Sequence, residues 1–158
     1  MNMLHLGDRP PDVRLGEWSM PRNAKSGARK LGPGIPKSDF WASAPEGVDQ
    51  VGCVYTAQGF EFDYVGVIFG PDLVYRPMDG GWVGQRDQSS DRVVRRGVTD
   101  QEFTDFVKST YRVLLTRGLR GCYTYCMDAP TRDFFLSRTE GLHTDLRQAA
   151  ELAAPYVP

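Results

Sequence analysis

A chain of 158 residues has the length of about one domain, and 41% hydrophobic with 11% aromatic residues is enough to bury a core. A net charge of −1 excludes a protein held on nucleic acid by a global basic field, leaving only local basic sites. No apolar run approaches the ~18 residues of a membrane span and the N-terminus has no apolar signal core, so the expectation is a cytoplasmic chain without a membrane partner.

Residues 1–50 read as an extended Pro- and Gly-rich arm. Pro10, Pro11, Pro21, Pro33, Pro36 and Pro45 interrupt helices, while Trp18, Phe40 and Trp41 are large anchors expected to pin the arm down at two aromatic points. Arg22, Lys25, Arg29, Lys30 and Lys37 form a basic cluster with no acid until Asp39. It reads either as solvated loop charge or as a phosphate-backbone contact. Gly32-Pro33-Gly34-Ile35-Pro36-Lys37-Ser38 imitates a Walker A loop one residue too short. Pro36 stands where the second glycine belongs and has no N–H to offer a phosphate, so the run is not a P-loop.

The chain is organised around Val51–Asp72. Two apolar runs, Val51–Tyr55 and Tyr64–Phe69, read as strands buried on both faces. The polar elbow between them, centred on Thr56–Glu61, is too short for a crossover helix and is either a tight hairpin or a single helical turn. Gly59 would let a ligand approach the backbone, with Gln58 and Glu61 as polar groups beside it. Residues 51–138 form the domain proper, interrupted by a surface insertion over 76–98 with a small hairpin expected around Gly80-Gly81.

Thr99-Asp100-Gln101-Glu102 is a capping box that opens a helix from about Asp100 to Arg117. Phe103, Phe106, Val107, Tyr111, Leu114 and Leu115 make its apolar stripe, and Gly118 is the expected C′ residue. Cys122–Met127 reads as a third strand, Thr131–Arg138 as a helix carrying Phe134 and Phe135. Residues 139–158 read as a C-terminal helix and tail, with Leu142, Leu146, Ala149, Ala150 and Ala153 on one face. Cys53, Cys122 and Cys126 lie in apolar runs and read as small buried hydrophobes of a reducing compartment. Cys122, Cys126 and His143 lack a fourth suitably spaced ligand for zinc, so no metal site is expected. Neither His5 nor His143 belongs to a Ser/His/Asp arrangement. The order of elements is an α/β pattern with a mainly parallel sheet and flanking helices.

Thr56-Ala57-Gln58-Gly59-Phe60-Glu61-Phe62 resembles motif V of superfamily 1 helicases, and Tyr111–Tyr123 resembles motif VI. Gly16–Lys25, Asp49–Ile68, Gly70–Arg76 and Thr110–Tyr123 together resemble the Schlafen group-3-like DNA/RNA helicase domain, described as a bacterial P-loop family, over about residues 10 to 138. The resemblance implies part of a RecA-like second motor domain of P-loop NTPase type. It implies Arg117 as the arginine that touches the γ-phosphate of ATP. Gln58, Gly59, Glu61 and Arg120 then fall on the nucleotide side, Glu61 at the ribose, with Arg112 in a supporting role. Tyr55 and Thr56 match positions that meet the nucleic-acid backbone, although Tyr55 replaces the more usual histidine. The chain carries neither Walker A nor Walker B. ATP with Mg is therefore expected only when a missing N-terminal RecA-like half, from the same gene or a neighbouring frame, completes the site. Single-stranded DNA or RNA is the candidate ligand. Two other functions stay open: a non-catalytic nucleic-acid or partner-binding module, and a non-functional gene remnant. For Glu61 the alternative is a surface carboxylate paired with Arg112 or Arg120. For Arg117 it is a helix C-terminal cap.

Overall fold

The computed structural model describes residues 12–91 and 94–139. Both histidines and the helix expected beyond residue 139 lie outside them. The described chain is mixed α/β with three helices and three two-stranded sheets. It divides into two compact units, one ending at Val67 and resuming over Thr110–Tyr123, the other holding Ile68–Ser109 and the chain from Thr124.

In the first unit the arm is not simply extended. Strand β1 (Val13–Leu15) turns at Gly16 into β2 (Trp18–Met20), an antiparallel pair. Arg22 and Val51 then form a parallel bridge, in which the Val51 N–H donates to Pro21 and the Asn23 N–H to Val51, each at 2.9 Å. The aromatic anchor is Trp41 alone, because Trp18 and Phe40 are exposed. A Cβ on Gly52 would overlap the Trp41 indole, so that glycine is required by close approach. The indole N–H donates to the Gln50 carbonyl at 3.2 Å, and the ring meets Phe62 edge-on.

The first predicted strand is a correction. Only Val51 bridges, and Val54–Ala57 forms a helical turn, α1. Its cap explains why. The Thr56 hydroxyl donates to the Cys53 carbonyl and accepts from the Cys53 N–H, both at 3.0 Å, closing a local box that outweighs the β preference of the valines.

Strand β3 (Phe62–Phe69) pairs with β6 (Gly118–Cys126). The Phe62 N–H donates to Arg117 at one end and the Met127 N–H to Phe69 at the other, so the pair is parallel. Among the described strands only this pair is parallel, apart from the single Arg22–Val51 bridge; the other two sheets are antiparallel hairpins. Nor is the pair buried on both faces. Val67 and Phe69 are buried, but Tyr64, Tyr123 and Tyr125 are exposed. The expectation that all three cysteines are buried fails with it: Cys122 is exposed and the other two are half-buried. Apolar composition reports what a strand can bury, whereas burial needs a partner layer.

Helix α2 (Asp100–Leu115) starts on the expected box: the Thr99 N–H donates to a Glu102 carboxylate oxygen at 2.7 Å, and the Glu102 N–H to the Thr99 hydroxyl at 3.3 Å. The Thr99 N–H, and after it the Thr99 hydroxyl at 2.8 Å, donate to the Glu102 carboxylate and hold it below the usual range. Phe103, Val107 and Tyr111 are buried, but Phe106 is exposed, so the stripe is narrower than its apolar count. Gly118 is not the left-handed C′ residue, since its φ is not positive. The helix closes instead through the 3.2 Å bond from Arg117 N–H to Leu114 and through the Thr116 hydroxyl on Arg112 and Val113. Gly118 is small for another reason: a Cβ there would overlap the Gly121 carbonyl and press Val65 at 3.0 Å.

In the second unit, β4 (Leu73–Arg76) and β5 (Gly81–Gly84) form the hairpin expected around Gly80-Gly81, whose φ values are 83° and 120°. The third helix, α3, covers residues 129–139 of the described chain. Tyr75 stacks on Phe134 with centroids 3.9 Å apart, Trp82 meets Phe134 at 5.4 Å, and Phe135 meets Phe69 at 4.9 Å. Asp128 caps α3: its carboxylate accepts from the Thr131 N–H at 2.9 Å and hydroxyl at 2.6 Å, and takes both Arg76 Nη groups at 2.9 and 2.7 Å. Arg76, foremost, and Thr131 hold its carboxyl well below the usual carboxylate range. The contribution is present above the unfolded carboxyl pKa of about 3.9 and is lost as pH falls through the depressed folded value. Asp128→Asn is therefore expected to cost about 1.5–3 kcal/mol at pH 7, with the difference from the parent narrowing as pH falls below about 3.9 and vanishing only below the depressed folded value. Urea midpoints at pH 7, 4 and 2.5 measure it; a gap independent of pH would exclude the carboxylate as the cause.

Candidate functional site

The seven residues that the motifs single out all lie in the first unit, on two segments: the stretch from Tyr55 to Glu61, and Arg117 and Arg120 where α2 gives way to the start of β6. α1 holds the first segment. Thr56 is buried and its hydroxyl closes the cap, which leaves it to position the neighbouring Tyr55, 58% exposed. Gln58 ends the helical turn in an extended conformation, with its N–H on Val54 at 2.9 Å. Gly59 has φ 84°, a conformation other residues take at a penalty. A Cβ there would meet no atom of this chain within 4 Å, so the glycine is needed for the turn and the space beside it is open.

Arg117 ties the two segments together. Its Nη1 donates to the Phe60 carbonyl at 3.5 Å, and its own carbonyl accepts the Phe62 N–H at 2.9 Å, so the backbone on both sides of Glu61 is bonded to Arg117. Its Nε donates to the Val113 carbonyl at 3.0 Å and its Nη2 to the Thr116 hydroxyl at 3.2 Å. All these acceptors are neutral. Arg117 thus caps the helix C-terminus and still carries an uncompensated charge.

Glu61, Arg112 and Arg120 are exposed, and no ion pair joins any of them or Arg117 to another side chain among the described residues. The surface pairing considered for Glu61 is therefore not formed. Arg112 contributes its carbonyl to Thr116 at the helix end. Sequence reasoning missed Cys53 as the residue that caps α1, although its spacing to Thr56 is that of a capping box. It also missed the backbone carbonyls of Phe60 and Val113, for which no side-chain pattern could give a sign. Among the described residues no three His, Cys, Asp or Glu side chains gather where a metal ion could be held, and no helix is long and apolar enough to cross a membrane.

With this geometry in place, comparison decides the family. The sequence profile of the Schlafen group 3, DNA/RNA helicase domain matches residues 4–128, most of the chain. The chain belongs to the Schlafen group 3 DNA/RNA helicase domain family. All seven candidate residues of this helicase-domain chain fall inside the matched span. The uncharacterized protein YPL245W of Saccharomyces cerevisiae is 32% identical over 101 residues, covering 61% of this chain. A yeast relative does not fit a bacterial family, which corrects that expectation. The chain spans 22% of the length of the yeast protein. No solved structure matches the chain.

Proposed function

We propose that this chain is the part of a superfamily 1-like helicase motor that completes an ATP site from the side opposite the phosphate loop, as part of a RecA-like second lobe. The observation that carries the reading is the double tie of Arg117 to the backbone flanking Glu61. It brings the helix-end arginine to the turn at Gly59, where a Cβ would meet nothing within 4 Å. In phosphoryl transfer a protein works by positioning and by neutralising charge, and a guanidinium from a second element suits the γ-phosphate. Arg117 is assigned that role. Glu61, with no cation of its own, accepts hydrogen bonds from the ribose hydroxyls, Gln58 and Gly59 line the approach, and Arg120 adds positive charge beside the phosphates. Tyr55 offers an exposed ring to a nucleic-acid base, held there by Thr56. Magnesium and the phosphate cradle come from the Walker A-bearing lobe, so the isolated chain does not hydrolyse ATP.

The test is complementation. Adding the purified chain to a separately purified Walker A-bearing half is expected to produce magnesium-dependent ATPase that saturates at one chain per half. ATPase indifferent to the added chain, or turnover by the chain alone at the rate of whole helicases, overturns the reading.

A further inference from the structure

The basic cluster of the arm is a built loop. Its base is buried: Asn23 and Ala24 are 8% and 2% exposed, with the Asn23 N–H on Val51 at 2.9 Å. Two turns follow. The Ala28 N–H returns to Lys25 at 3.2 Å over Gly27 (φ 73°), and the Ile35 N–H returns to Gly32 at 3.3 Å over Gly34 (φ 70°). Gly32-Pro33-Gly34-Ile35 has the sequence of a type II turn, proline second and a positive-φ glycine third, which accounts for the Walker-like spelling. Between the turns lies an open cavity of about 280 Å³, whose lining includes Ala24, Ala28, Leu31, Gly32 and Ile35 together with Lys25 and Lys30.

The charge of this loop is unbalanced. Lys25, Arg29, Lys30 and Lys37 are all exposed and none forms an ion pair among the described residues, and no acid occurs between Glu17 and Asp39. Four cations within thirteen residues exceed what one phosphate would need. An apolar cavity adds nothing to holding a plain polyanion. Together they match a chain of phosphates from which flat apolar groups project, one of them inserted between the turns.

We propose that residues 24–37 form a second single-strand contact, in which Lys25, Arg29, Lys30 and Lys37 bind consecutive phosphates of single-stranded nucleic acid and the cavity takes one base. This deepens the motor reading and rests on it for the class of ligand, but it uses no residue of the ATP site.

The experiment is fluorescence anisotropy of the full chain with a labelled 20-mer oligothymidylate. Four phosphate contacts on a single strand give a slope of about −2.8 in log affinity against log salt, a loss of about 50-fold between 50 and 200 mM salt. The combined variant Lys25→Gln, Arg29→Gln, Lys30→Gln, Lys37→Gln is expected to lose that slope, while Lys25→Arg, Lys30→Arg, Lys37→Arg keeps it. An abasic strand of the same length should bind about 10-fold more weakly with the slope unchanged, as loss of one buried or stacked base implies. A glutamine variant that keeps the slope, an arginine variant that loses binding, or polyphosphate or abasic strand that binds as tightly as the oligonucleotide each overturns the proposal. Failure of complementation with loop-dependent strand binding intact removes the motor reading alone. Complementation without loop-dependent binding removes this inference alone.

Discussion

In the completed motor proposed above, Arg117→Ala is expected to lower ATP turnover by about 10³–10⁵-fold, the range over which an arginine directed at a transferring phosphoryl group acts. The physical case is that Arg117 is tethered without being neutralised. Its five hydrogen bonds, three through the guanidinium and one each through its N–H and its carbonyl, go to Val113, Thr116, Phe60, Leu114 and Phe62, and none involves a carboxylate. Its charge, met by no carboxylate among the described residues, stays available to whatever approaches the open side of Gly59. Removing the side chain also removes part of the helix cap, a loss of about 1 kcal/mol, which in a domain of this size lowers Tm by about 2–4 °C. The two effects therefore separate by magnitude. Steady-state ATPase and a thermal melt on the same preparation measure both. Arg117→Lys keeps the charge but not the planar fork, and is expected to fall between parent and alanine in turnover. Full activity in Arg117→Ala would take Arg117 out of the mechanism, and a fall in ATPase that follows a collapsed melt would make it a structural residue only.

Phe103→Ala has the largest expected effect on stability. Phe103 is fully buried at the start of α2, and a Cβ on Gly84 of β5 would stand only 2.7 Å from its ring. The Arg86 guanidinium covers the ring at 5.4 Å and bonds the Val98 carbonyl and the Asp100 carboxylate, closing the cavity from outside. Deleting such a ring is expected to destabilise by about 3–5 kcal/mol. At about 2–4 °C per kcal/mol for a domain of this size, Tm falls by about 6–20 °C. Phe106→Ala on the same helix, with an exposed ring, is the control and should change stability by less than about 0.5 kcal/mol. Equal losses from the two substitutions would contradict the burial pattern.

The stretches legible in the sequence were those whose signals are local. The Thr99–Glu102 box marked the start of α2, and the Gly80-Gly81 pair marked the hairpin between β4 and β5. The helix carrying Phe134 and Phe135 is legible as well, and both half-buried rings pack on aromatic neighbours. Where two local signals compete, the capping box prevails over strand composition. Val51–Tyr55 has the composition of a strand, but the Cys53–Thr56 box makes a helical turn of its second half.

By itself the sequence determined the family and the cap that starts α2, because such signals are carried by side chains at fixed spacings along the chain. Only the tertiary structure decided that Arg117 reaches both sides of Glu61, that the strands β3 and β6 run parallel with their tyrosines exposed, and that Trp41 alone anchors the arm. These depend on carbonyls, glycine clearances and neighbouring layers that are tens of residues away along the chain, and no side-chain spacing records them.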